Sequence, residues 1–257
     1  MCAVVTLGWL AMDVATGAET ERQAEAQRLT QRLEEMRARL VAAPSDAAAA
    51  LDVSRACFAL AEFATQATQR ASLAEEGMAA ARMVLAATPT NANAQIALGQ
   101  NLGQLARTRT LGALKLVPQM EAAWLAAVAA DPRAQYAAPH RLLGLLYNAA
   151  PSWPISVGNH ALARTNFAQA VALAPEYPDN WLVYLEACLG WEDLKTARTL
   201  VPKTTVAMAQ ARQRFAGPDW SWRVRLWEQH WTTAQKKFET AEKRARNATH
   251  RQRMKDD

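Results

Sequence analysis

Histidines, cysteines and carboxylates are the residues here that could do chemistry, and their spacing speaks against each. His140, His160, His230 and His250 stand far apart. None has a second His or a Cys at metal-ligand spacing, and no His-Glu-x-x-His occurs. Cys2, Cys57 and Cys188 form no Cys-x-x-Cys pair, so neither a zinc site nor a disulfide framework is expected. Cys57 and Cys188 each fall thirteen residues after a proline, the place Leu102 holds after Pro89. A thiol buried there has a raised pKa and is a poor nucleophile, so packing is its expected role. Glu186, Glu192 and Asp193 could serve as acid and base, but alone they read as surface carboxylates. There is no Gly-x-Ser-x-Gly elbow and no glycine-rich phosphate loop. Gly99 and Gly103 precede no Gly-Lys-Ser/Thr and read as helix-packing glycines. The sequence therefore predicts no enzyme, no metal and no cofactor.

Binding is the chemistry that remains. Tyr147, Trp153, Asn159, Arg164, Trp181, Tyr184 and Glu186 mix aromatic surface with a few polar groups, the usual make-up of a small-molecule or peptide site. Tyr147, Trp181 and Tyr184 also fit helix-packing positions. Trp153 does not: it sits in a proline-bounded loop with no packing role, and it is the first candidate.

These residues are positioned by a repeat. "RLVAAP", "VLAATP", "AVAADP" and "AVALAP" end at Pro44, Pro89, Pro132 and Pro175, spaced by 45, 43 and 43 residues. A fixed period of this size marks a solenoid, in which each unit buries its face against its neighbours. Four residues before each proline stand Leu40, Leu85, Val128 and Val171; eight before stand Met36, Ala81, Trp124 and Phe167. Those positions share one helix face. A second pattern follows each proline: Leu98-Gly99 with Leu102, Leu143-Gly144 with Tyr147, and Trp181 with Tyr184 and Cys188. Abundant alanine suits helices, and the 10 Gly and 11 Pro are too few for a disordered or fibrous chain.

The Leu-Gly-x-x-Tyr helix, followed by one that ends before a proline, resembles the tetratricopeptide repeat. The best copy runs through "LGLLY" and "ARTNFAQAVALAP", with Ala163, Phe167 and Ala170 at small-large-small positions. The first copy, with Arg32 and Arg39, matches poorly and reads as a cap. The period exceeds the usual 34 residues by about nine to eleven. The excess is expected in the turn inside each unit: "AAPSWPISVGNH" (149–160), and stretches near 68–74 and 108–118. Proline lacks an amide donor and disfavours helix in the residue before it, so the helix must stop near Ala150. Loops repeated at one place in a solenoid line one edge, often the binding edge.

Such units with lengthened loops resemble the T component that accompanies TRAP-type solute transporters. Residues 143–189, "LGLLYNAAPSWPISVGNHALARTNFAQAVALAPEYPDNWLVYLEACL", carry the motif resemblance, and 45–200 the period. The resemblance implies an exported helical-repeat protein that partners a periplasmic solute-binding protein or holds an apolar ligand.

Beyond Pro175 the pattern shortens. A helix is predicted from Trp191 to Leu200, and another from "PKTT" (202–205) through Phe215. "GPD" (217–219) then breaks the chain and caps a last helix. Trp220, Trp227, Trp231 and Phe238 form one stripe on that helix, read as a terminal cap or as a partner or membrane-surface helix. Residues 236–257 hold eight Lys or Arg and four acids, most of the chain's net charge of +5. Such a tail can touch nucleic acid or anionic lipid.

At the other end, Ala3–Met12 is apolar, followed by Ala15, Gly17 and Ala18. This resembles a secretory h-region without a basic n-region, and the reading stays between a signal-peptide remnant and an N-terminal apolar turn. Together these patterns predict an all-α, right-handed α-solenoid of about four helix pairs over 19–216, an aromatic capping helix over 217–242 and a frayed basic tail over 243–257. The expected function is a non-enzymatic, periplasmic scaffold with a protein partner or apolar ligand. The alternatives are a cytoplasmic adaptor with a peptide in its groove, or a binder of membrane surface or nucleic acid through 220–257, with nucleic acid the less favoured partner.

Overall fold

A computed structural model describes residues 15–109 and 112–256. Among them every named element is helical: α1 (Ala15–Ala42), α2 (Ala47–Ala61), α3 (Ala67–Ala87), α4 (Ala92–Arg107), a single 3₁₀ turn (Ala113–Lys115), α5 (Val117–Ala130), α6 (Ala134–Ala149), α7 (His160–Leu173), α8 (Pro178–Gly190), α9 (Leu194–Arg214) and α10 (Pro218–Asp256). The apolar run Ala3–Met12 lies outside the described residues. The chain divides into two compact units at Ala163/Arg164.

In the first unit each helix packs on the next, and α2, α4 and α6 also touch one another in series. That next-but-one contact is what a stack of helix pairs requires. Helix starts follow from local chemistry. Asp46 caps α2, accepting from Ala48 N (2.9 Å) and Ala49 N (3.0 Å), and Asn91 caps α4 through Ala94 N at 3.0 Å. Both stand two residues after a repeat proline. Ala134 stands at the same place in the third copy and cannot cap. There the chain makes a left-handed turn instead, with φ of 48°, 58° and 57° at Gln135, Tyr136 and Ala137. Each costs about 1–2 kcal/mol for an L-residue. Gln135 Nε2 donating to Asn93 Oδ1 (2.9 Å), Arg141 donating to the Tyr136 carbonyl (3.2 Å) and the burial of Ala137 hold it.

The core follows the proline register. Ala81, Trp124 and Phe167, eight before the prolines, are fully buried, and Met36 is half-buried. The residues four before are only half-buried; Val84, Ala127 and Ala170, five before, complete the core stripe. α1 joins through Leu29 and Leu33, which pack with Val53, Cys57 and Leu60 of α2 and Leu73 of α3.

One connection length corrects the sequence reading. Residues 68–74 are helix, not loop. The α2–α3 connection is only 62–66, closed by Arg70, whose guanidinium donates to the carbonyls of Ala61 (3.2 Å) and Ala64 (2.6 Å). The extra length of the repeat that ends at Pro89 lies in the 21 residues of α3. The lengthened connections are the one between α4 and α5, which holds the 3₁₀ turn, and 150–159.

In the second unit α8, α9 and α10 pack against one another. The break predicted at Pro202 is absent: α9 runs through it. One proline removes one amide donor and strains one turn, while Leu200, Thr204 and Ala207 stay buried on either side and hold the helix. α10 continues past 243 to Asp256. Ala, Lys, Arg and Gln there are strong helix formers, and Glu242 accepts from Arg198 of α9 at 2.7 Å. Two rings of the aromatic stripe pack inward, and Trp231 and Phe238 are half-buried. Trp220 and Trp227 meet Tyr177 and Phe215 at ring-centroid distances of 4.8–6.4 Å, and Trp227 Nε1 donates to the buried carboxylate of Asp179 at 2.6 Å.

Candidate binding loop

The loop between α6 and α7 is built by its prolines and one glycine. α6 ends at Ala149 as Pro151 approaches. Gly158 N donates to the Pro151 carbonyl (2.9 Å) and Ile155 N to that of Ser152 (3.1 Å). Ser152 and Gly158 form a parallel bridge, and the Trp153–Pro154 peptide is cis. A Cβ on Gly158 would stand 2.0 Å from the Ala150 carbonyl oxygen, so only glycine lets the loop close this tightly. Asn159 then ties the loop to both helices. Its amide donates to the Tyr147 carbonyl at 2.8 Å, and its Oδ1 accepts from Ala161 N (2.9 Å) and Leu162 N (3.1 Å).

The closed loop holds its large apolar side chains outward. Trp153 is 85% exposed and Ile155 68%. Residues 148–159 contain no ionisable side chain. Such a tip offers a rigid, uncharged, apolar contact with an indole N–H at its edge, the chemistry of an interface anchor. Ile155, which the sequence reading passed over, belongs with Trp153; its signal was its place between two serines in the same proline-bounded loop. Tyr147 lies behind the loop in α6, buried, its hydroxyl donating to Glu121 Oε1 of α5 at 2.8 Å. Burial, and then the Glu121 carboxylate, push its phenol well above the ordinary value.

The remaining site residues belong to the second unit, where each has a helix-packing partner. Arg164 of α7 donates to Asp193 Oδ2 at 2.6 Å and lies 5.0 Å over the Trp191 ring. Asp193 caps α9 through Thr196 N at 3.0 Å. The hydrogen bonds from Thr196, backbone first and then hydroxyl, and from Arg164 hold its carboxyl down at about 2. Tyr184 stacks on Phe167 at 5.8 Å, and Trp181 Nε1 donates to the Pro175 carbonyl at 2.6 Å. Glu186 Oε1 lies 3.0 Å from Nδ1 of His230 in α10.

Cys57 and Cys188 are fully buried free thiols, and burial pushes them up to about 12 and about 11. Among the described residues no cluster of three or more His, Cys, Asp or Glu is arranged to hold a metal, and no helix is long and apolar enough to cross a membrane.

No family model matches the chain, and no curated protein matches it. Among solved structures it is similar to a thermophilic TPR protein of Thermus thermophilus. The TM-score is 0.55 at 20% sequence identity, over 80% of this chain and 92% of that one. The likeness establishes the fold: an all-α solenoid of the tetratricopeptide type.

Proposed function

We propose that this chain is a non-enzymatic scaffold whose 150–159 loop anchors a protein partner. The exposure of Trp153 carries the reading. Adjoining exposed apolar side chains mark interaction sites more than single ones do, and Trp153 stands with the exposed Ile155 on a loop that backbone hydrogen bonds close. The solenoid fold supports the reading, because stacked helix pairs present extended binding surfaces.

The partner we propose is a periplasmic solute-binding protein, with this chain exported beside it as in the transporter-associated T component. The motif over 143–189 and the apolar run Ala3–Met12 support that choice. The loop could equally hold the apolar solute that such a protein carries, since its chemistry is the same.

The test is affinity purification of the tagged chain from its own cells under mild conditions, with cell fractionation alongside. Recovery of a solute-binding protein from the periplasmic fraction supports the proposal. Recovery of cytosolic proteins alone replaces it with the adaptor reading, in which a peptide lies in the groove.

A further inference from the structure

The C-terminal helix α10 presents a cationic face that the scaffold reading leaves unused. Lys236, Lys243 and His250 recur every seven residues, and so do Lys237, Arg244 and Arg251. Seven residues are two turns less about 20°, so the two rows run side by side along the helix. They span about 22 Å at 1.5 Å per residue. All six side chains are exposed. Two of the helix's acids turn towards α9: Glu228 accepts from Arg212 and Glu242 from Arg198, both arginines on α9. Between the rows stand only Thr240 and Asn247, and Glu239 lies at the edge.

The partner's chemistry follows from what this face lacks. A helix that adsorbs to a bilayer must also present an apolar band to insert. Of the rings that could form one, Trp220 and Trp227 are packed against Tyr177 and Phe215, and Trp231 and Phe238 are half-buried. Phe238 lies on the opposite side of the helix from the two rows, and the face that carries them over 236–251 holds no apolar side chain. We infer that this face binds the phosphate backbone of a nucleic-acid duplex, independently of sequence. Contacts of this kind draw their affinity from counterion release and lose it with salt. The proposal does not depend on the function assigned to the 150–159 loop.

The full-length protein should bind a labelled duplex of mixed sequence, about two helical turns long, by fluorescence anisotropy. For three to five neutralised phosphates, the affinity should fall roughly 40- to 500-fold between about 50 and 200 mM salt, at a slope of about −0.9 per phosphate. The triple variant Lys237→Glu, Arg244→Glu, Arg251→Glu should abolish binding. The corresponding triple substitution to Gln, which keeps a good helix former at each position, should weaken binding and flatten the salt dependence while circular dichroism stays unchanged. Absence of duplex binding at low salt overturns the inference, as does undiminished binding by both triple variants. So does binding to phosphatidylserine vesicles without binding to the duplex.

Discussion

The indole of Trp124 in α5 fills the space that a side chain on Gly99 in α4 would need. A Cβ at Gly99 would stand 2.3 Å from Nε1 of Trp124. The ring is fully buried, and its N–H donates to the Ile96 carbonyl at 3.4 Å. A neighbour this enclosed cannot shift aside cheaply. The glycine in Leu98-Gly99 thus sets how closely two helices approach.

Gly99→Ala should therefore destabilise the first unit, although alanine is the better helix former by about 1 kcal/mol. Overpacking costs about 1–3 kcal/mol, so the net effect is a loss, read as a lower urea midpoint. A gain in stability would show that α4 and α5 are less tightly joined than this contact requires.

Phe167→Ala should cost roughly 3–5 kcal/mol, as for a fully buried aromatic. Phe167 is 0% exposed, stacks on Tyr184 at 5.8 Å and meets the tilted ring of Trp191 at 6.4 Å. An unchanged melting curve would contradict the repeat register, because this residue defines it in the best copy.

Asp193→Ala should cost about 1 kcal/mol through loss of the α9 cap. Acid should act the same way. A carboxyl held near 2 when folded and titrating near 4 when unfolded contributes stability above the unfolded value, and that contribution is lost as pH falls from about 4 towards 2. Denaturant midpoints against pH should fall less steeply over that window in the Ala variant than in the parent.

Cys57 and Cys188 should resist thiol reagents until the protein unfolds. Their folded values near 12 and 11 lie above the unfolded one, so the native state keeps its protons where the unfolded chain loses them. Their contribution is complete below about 8.5 and declines as pH rises towards 11 to 12. Rapid labelling of the native protein at neutral pH would contradict the burial on which this rests.

The fold was readable because a helical repeat writes itself locally. The prolines at 44, 89, 132 and 175 fixed the register, and Ala81, Trp124 and Phe167 fell in the core at the spacing they imply. Features set by distant partners were not readable. Nothing near Asp179 in sequence reveals that Trp227 donates to it, and nothing near Glu62 reveals the bond from Arg107 (3.1 Å). Pro202 misled because a local rule for helix ends was outweighed by packing on both sides of it. At the site, the sequence singled out Trp153 from the prolines around it. It grouped Arg164, Trp181 and Tyr184 as binding residues, and each of these is engaged in packing within the second unit.

The most direct test of the central claim is Trp153→Ala, with partner capture and thermal stability measured on the same preparation. Trp153 is 85% exposed and makes no core, so stability should change by no more than about 0.5 kcal/mol. As an interface anchor its loss should weaken the solute-binding protein complex by about 2 kcal/mol or more, roughly 30-fold. A large drop in melting temperature with partner binding intact would contradict the account, because Trp153 would then be packing the fold.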